Sequence, residues 1–326
     1  MIGKVVTFIV SSVVITFGIA GVLILSQRPK EIPPGDGLDF SQTLENERQV
    51  PKPLTQVAMR DGFPLQVRRY DSIAPDAPLL VLVHGSGWHG LHFDGLARSL
   101  TAVADVIAPD LRGHGPKPGQ RGDIEYINQL EDDLADLIKA TAKPGQKVVL
   151  GGHSSGGGLV LRFAGGAHGG MLDGALLLAP FLKYNAPTTR QNSGGWTNVL
   201  TRRIIGLSML NSFGITALNH LTVIQLRMPQ AVLDGPLGDT ATTTYSYRLN
   251  TGFAPHGDYL RDVAALPRFT LIVGAQDEAF DAALYEPTMG AVTDKGTYVI
   301  VDGVKHLDIV DAVQTRETIE SYLNDF

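Results

Sequence analysis

The sequence predicts an α/β domain: a mostly parallel sheet covered by helices on both faces, with an inserted helical cap and an N-terminal transmembrane helix. Three observations predict it. From Leu54 onward, short β-rich apolar runs alternate with helical patterns, the layout of strands joined by crossover helices. Residues 181–267 break that alternation with apolar residues at helical spacing, among them Val199, Ile204, Leu207, Val223, Ile224 and Leu226. Residues 5–25 form a run of 21 without a charge, fifteen of them apolar.

Taken in order, that run spans roughly 31 Å as a helix, the thickness of a bilayer's hydrocarbon core. A secretory signal has a shorter apolar region and a small-residue cleavage site, which residues 22–25 do not offer. Residues 1–26 are therefore expected to be a single-pass membrane anchor. A large domain behind one N-terminal anchor is most often exported, so the outer face is expected. Residues 27–53, with five prolines, two glycines and scattered acids, read as a polar tether that packs no core.

The domain then covers 54–326. Residues 54–60 and 63–70, joined at Asp61-Gly62, predict a hairpin. Strands follow at 79–83, 106–108, 147–151 and 175–178, with helices near 92–104, 126–142 and 155–165. Strands at 269–273 and 297–301 and a helix over 307–323 close the chain. Between them, residues 181–267 are too long and apolar for a loop; a cap over the carboxyl edge of the sheet, where open α/β sheets bind ligands, fits the pattern.

Composition excludes several functions. A net charge of −6 from 27 basic and 33 acidic residues argues against a nucleic-acid partner, since phosphate binding wants a clustered basic surface. An apolar fraction of 44% is not that of a disordered chain. Without cysteine there is no disulfide framework, thiolate metal site or cysteine nucleophile.

Gly152-His153-Ser154-Ser155-Gly156 fits Gly-x-Ser-x-Gly and lies between a strand and a helix, where this pattern makes a nucleophile elbow. It lacks the lysine of a nucleotide loop and the spaced glycines of a dinucleotide fingerprint. A serine hydroxyl needs a base to take its proton and a carboxylate to orient that base. His306 follows the last strand, and Asp277 follows the strand before it, with Glu278 and Asp281 as rivals for the acid. His153 is expected to be structural. The oxyanion donors are expected to be the backbone N–H groups of Ser155 and of Ser86, in the loop His84-Gly85-Ser86-Gly87-Trp88.

At these residues the chain resembles the α/β-hydrolase superfamily. In Asp110-Leu-Arg112-Gly113-His114-Gly115, with Gly119-Gln-Arg121-Gly122 behind it, it resembles more narrowly the monoacylglycerol lipase and lysophospholipase-like (S33-type) branch. The branch's serine after Arg-Gly-His-Gly-x is replaced by Lys117. The resemblance implies a serine hydrolase acting on a lysophospholipid, a monoacylglycerol or a shorter ester through an acyl-enzyme, with no metal or organic cofactor. Peptidase and perhydrolase activities use the same three residues, and a binding protein can share the fold.

Overall fold

The computed structural model describes residues 2–35, 37–41, 50–190 and 195–326, the side chains of 2, 3 and 5–9 aside. Among these, eleven strands are present: β1 (Thr55–Ala58), β2 (Pro64–Tyr70), β3 (Leu79–Val83), β4 (Asp105–Asp110), β5 (Val148–His153), β6 (Gly174–Leu178), β7 (Thr197–Val199), β8 (Thr222–Leu226), β9 (Thr244–Ser246), β10 (Arg268–Gly274) and β11 (Gly296–Val301). The longer helices are α1 (Ile2–Leu25), α2 (Gln129–Thr141), α3 (Ser155–Gly165), α4 (Thr201–Asn211), α5 (Tyr259–Ala265) and α6 (Val313–Leu323).

The main sheet has the order β1-β2-β4-β3-β5-β6-β10-β11. β1 and β2 form the expected hairpin through Gly62, at φ 81°, and β2 pairs antiparallel with β4. The remaining pairings are parallel. Every residue of β3, β4, β5 and β6 is buried. Burial at odd and even positions alike means that both faces of the sheet are covered, and this is why these strands read as unbroken apolar runs.

The cap enters between β6 and β10, as expected, but it is not purely helical. β7, β8 and β9 make a three-stranded antiparallel sheet. Val199, Val223, Ile224 and Leu226 lie in strands, because an apolar run of three to five residues carries no period that separates strand from helix.

The expected anchor is the helix α1, and its C-terminal end packs on the cap. Ala20 and Ile24 are buried with Leu207 and Leu210 of α4 and with Val223 and Tyr247. A Cβ on Gly206 would lie 2.7 Å from the Ala20 carbonyl oxygen, so the two helices meet backbone to backbone. Among the described residues, no helix is long and apolar enough to cross a membrane; the run's residues 5–9 fall outside the described side chains.

The tether departs from its reading. Residues 36 and 42–49 lie outside the described set, but Leu38 and Phe40 are each only 6% exposed. Phe40 packs against Trp88 and Trp196, with ring centroids 6.3 and 5.7 Å away.

A buried ion pair ties α3 to α2. Arg162 meets Glu131 at 2.5 Å, both side chains 5% exposed, and also donates to Asn128 Oδ1 and to the Thr251 and Ala254 carbonyls. Burial pushes the Glu131 carboxyl upward, with Arg162 opposing. Arg162→Met leaves that carboxylate alone in the interior and is expected to cost about 3–5 kcal/mol in urea denaturation. Arg162→Met combined with Glu131→Leu is expected to recover much of it; a single variant within about 1 kcal/mol of the parent contradicts this account.

Candidate active site

The site is assembled from loops at the carboxyl ends of β3, β5, β10 and β11. Its centre is the turn from β5 into α3. A Cβ on Gly156 would lie 2.1 Å from the Val83 carbonyl oxygen, and one on Gly152 would lie 2.4 Å from the Gly156 backbone. Only glycine at both places lets α3 begin so close to the strands. Ser154, between them, takes φ 56° and ψ −121°, a conformation costing about 1–3 kcal/mol that the surroundings must enforce. Its N–H donates to the Leu178 carbonyl, and its own carbonyl accepts from the Gly158 and Phe181 N–H groups.

The three residues expected to act together do meet. His306 Nε2 is 3.0 Å from Ser154 Oγ, and His306 Nδ1 is 2.7 Å from Asp277 Oδ2. A carboxylate only accepts, so Nδ1 carries the proton and Nε2 faces the serine hydroxyl as an acceptor. Asp277 Oδ1 accepts from the Ala279 and Phe280 N–H groups at 2.8 and 2.7 Å, which fixes the carboxylate plane. The rivals take other places. Glu278 accepts the backbone N–H of His306 at 2.8 Å, and Asp281 accepts from the Ala283 N–H. The loops carrying acid and base are pinned to each other by the Gln276 N–H on the Val304 carbonyl at 3.0 Å. His153 makes no bond to the serine hydroxyl; its Nε2–H donates to the His306 carbonyl at 2.9 Å.

The expected oxyanion donors lie on either side of Ser154. Ser155 opens α3, and the first N–H groups of a helix have no intrahelical partner. The two serine hydroxyls, Ser86 Oγ and Ser155 Oγ, are 2.6 Å apart and join the loops. His84 orients the Ser86 amide: its Nδ1–H donates to the Gly85 carbonyl at 2.8 Å while Nε2 accepts the Leu111 N–H at 3.1 Å. The Gly85 carbonyl and the Ser86 N–H belong to one planar peptide and point opposite ways, so anchoring the first aims the second.

Sequence reasoning missed Tyr245, on β9 of the cap. Its hydroxyl accepts the Gly87 N–H at 2.7 Å and lies 2.7 Å from His114 Nε2. The Arg-Gly-His-Gly segment thereby gains a physical meaning, since it is where the sheet grips the cap. A Cβ on Gly122 would lie 2.1 Å from the Thr244 carbonyl oxygen, and Arg121 donates to the Thr240 carbonyl at 2.7 Å. Arg112 is held by Asp133 at 2.8 Å and Asp61 at 2.9 Å. The cavity at Ser154 is about 20 Å³ and is lined by Leu38, Phe40, Trp88, His92, His153, Trp196 and Leu307 together with Gly85, Ser86, Ser154 and His306.

Burial holds the imidazoles around the site neutral. His84 and His153 are pushed well below their ordinary 6.5 by desolvation, and His114, 1% exposed, is lowered to about 4 by the same cause. Unfolded, His114 binds a proton below pH 6.5; folded, it does so only near 4. Its contribution is fully present above pH 6.5 and is lost as pH falls toward 4, at about 1.4 kcal/mol per pH unit. The urea midpoint is expected to drop between pH 6.5 and 5, above the range where paired carboxylates titrate, and a flat midpoint over that interval contradicts the neutral assignment.

The model of the family described as serine aminopeptidase, S33 matches residues 74–307. An uncharacterized protein of Mycobacterium tuberculosis is 33% identical over 126 residues, 38% of this chain and 34% of that one, so the chain spans about a third of such a relative's length. Monoglyceride lipase of Homo sapiens is 27% identical over 161 residues, 48% of this chain and 51% of that one. Among solved structures, the monoacylglycerol lipase of Paleococcus ferrophilus aligns with a TM-score of 0.60 at 19% identity, over 81% of this chain and 99% of that one. At that identity the likeness is one of fold.

Proposed function

The chain belongs to the serine aminopeptidase S33 family of α/β-hydrolases, and from that premise we propose that it is a serine esterase cleaving a monoacyl lipid ester, a lysophospholipid or a monoacylglycerol. Ser154 attacks the ester carbonyl as its proton passes to His306 Nε2. The tetrahedral oxyanion is held by the Ser86 and Ser155 N–H groups, and Asp277 stabilises the imidazolium. His306 returns the proton to the departing alcohol, leaving the acyl group on Ser154 Oγ. A water, deprotonated by His306, then attacks the acyl carbon and releases the carboxylic acid and the free serine. Losing one oxyanion donor costs about 10²–10³ in rate in such sites.

The observation that carries the lipid reading is the cavity's lining. An aminopeptidase must recognise a substrate ammonium, for which a carboxylate is the natural partner, and among the described residues those lining the cavity at Ser154 include no acidic side chain. They include Trp88, Trp196 and Leu307, with Leu38 and Phe40 lying between the two tryptophans, surroundings suited to an acyl chain. The similarity to monoglyceride lipases agrees with this reading.

A fluorophosphonate probe is expected to label the parent protein and not Ser154→Ala, whose kcat on p-nitrophenyl esters should fall by about 10³-fold or more. Equal labelling of the two overturns the esterase mechanism. Across esters of increasing chain length and lysophospholipids, a preference for acetyl over long acyl groups overturns the lipid substrate.

Attachment to a membrane through α1, with the domain on the outer face, belongs to the same reading. It is supported by the 21-residue uncharged run and by Val14, Val22 and Leu25, which are 64, 67 and 63% exposed on the described part of that helix. The intact protein is expected to stay with the membrane pellet in carbonate; complete release of uncleaved protein contradicts the anchor.

A further inference from the structure

The segment read as a tether enters the active-site cavity. Leu38 and Phe40 share that cavity with Ser154 and His306, and Phe40 sits between Trp88 of the oxyanion loop and Trp196 of the cap. A Cβ on Gly37 would lie 2.8 Å from the Trp196 nitrogen, so the strap's backbone lies directly against the cap. What holds it from outside is polar and accessible: Asp39 pairs with Lys305, next to His306, at 2.8 Å, with side chains 37 and 43% exposed. The cavity left over, about 20 Å³, has room for a water or so and none for a chain of methylenes.

An acyl chain that enters this cavity must therefore take the place of side chains already there. Leu38 and Phe40 are the ones whose departure costs least, because they belong to a strap fastened by an exposed ion pair and by apolar contacts that an acyl chain would itself replace. We propose that residues 37–41 are a displaceable plug: Leu38 and Phe40 occupy the acyl-chain site between Trp88 and Trp196, Asp39 and Lys305 latch the plug, and a long acyl chain displaces it. The plug makes acyl length, rather than the ester group, the quantity that the entrance discriminates. This rests on the esterase reading.

The test uses the full chain and two fluorophosphonates, one with an ethyl and one with a dodecyl group, and reads the ratio of their labelling rates. Phe40→Ala is expected to raise the long-to-short ratio by about ten-fold. Asp39→Asn, at the exposed latch, is expected to raise it by no more than about five-fold. A second readout needs no variant. Trp88 and Trp196 are the chain's two tryptophans, and both face Phe40, so reaction of the parent with the dodecyl probe should shift tryptophan emission while the ethyl probe leaves it in place. Ratios unchanged in both variants, with emission unmoved by the dodecyl probe, overturn the plug while leaving the esterase intact. Failure of the ethyl probe to label the parent overturns the esterase reading, and the plug with it.

Discussion

The site depends on how closely α3 approaches β3 and β5. With the Val83 carbonyl 2.1 Å from where a Cβ on Gly156 would stand, the helix start lies on the strand ends with nothing between them. That contact fixes the sharp turn, and the turn forces Ser154 to φ 56°. It also brings the loop after β3 alongside: a Cβ on Gly85 would be 3.2 Å from the Ser154 Cβ. Ser154 and the loop of residues 84–88, the proposed nucleophile and oxyanion loop, are thus placed by one backbone approach. The strain is held by three backbone hydrogen bonds on Ser154, each worth about 1 kcal/mol net.

A second constraint couples that loop to the cap. Gly87 would otherwise leave a buried N–H unpaired, and Tyr245 satisfies it. Tyr245 is held in turn by His114, whose imidazole is kept neutral by burial and so presents Nε2 as an acceptor for the phenol hydrogen. The chain from Gly87 through Tyr245 to His114 runs from the oxyanion loop through the cap and back to the loop after β4. The cap is accordingly tied to the framework of the proposed site, with Tyr245 seated on β9, which pairs antiparallel with β8.

These two constraints explain what could be read in advance. The places of the central strands along the chain were legible, to within one or two residues at each end, because burial on both faces gives each an apolar stretch. Ser154 and Asp277 lie just beyond such runs; His306 follows β11, an edge strand of which only Val301 is buried but whose residues 297–301 still read as β-rich. Asp277 was preferred to Glu278 from the sequence, and the structure shows what separates the two adjacent acids: the loop turns Asp277 toward Nδ1 and Glu278 toward the His306 backbone N–H. Tyr245 left no local signal. It sits 131 residues from His114, in a three-residue strand with no recognisable pattern. Leu38 and Phe40 were hidden for another reason: two apolar residues among prolines, glycines and acids average to a polar segment, and no periodicity marks them as a pair.

Their burial changes what the N-terminal region is. A free linker of 27 residues, 27–53, would let the domain wander over roughly 30 Å from its attachment. Here the first part of that segment is fastened to the cap step by step. Gln225 of β8 donates to the Lys30 carbonyl at 2.7 Å, a Cβ on Gly35 would meet Arg227 at 2.7 Å, and Phe40 reaches Trp196. Before it, α1 is already packed on α4. A membrane-held α1 would therefore present the cavity at a height set by the cap and not by tether length. The neighbour next to Lys30 along β8 is the strand end that carries Leu226, whose Cδ1 would be 3.1 Å from a Cβ on Gly87. The N-terminal segment and the loop of residues 84–88 thus lean on the same strand, β8, which links the proposed entrance to the proposed reacting centre.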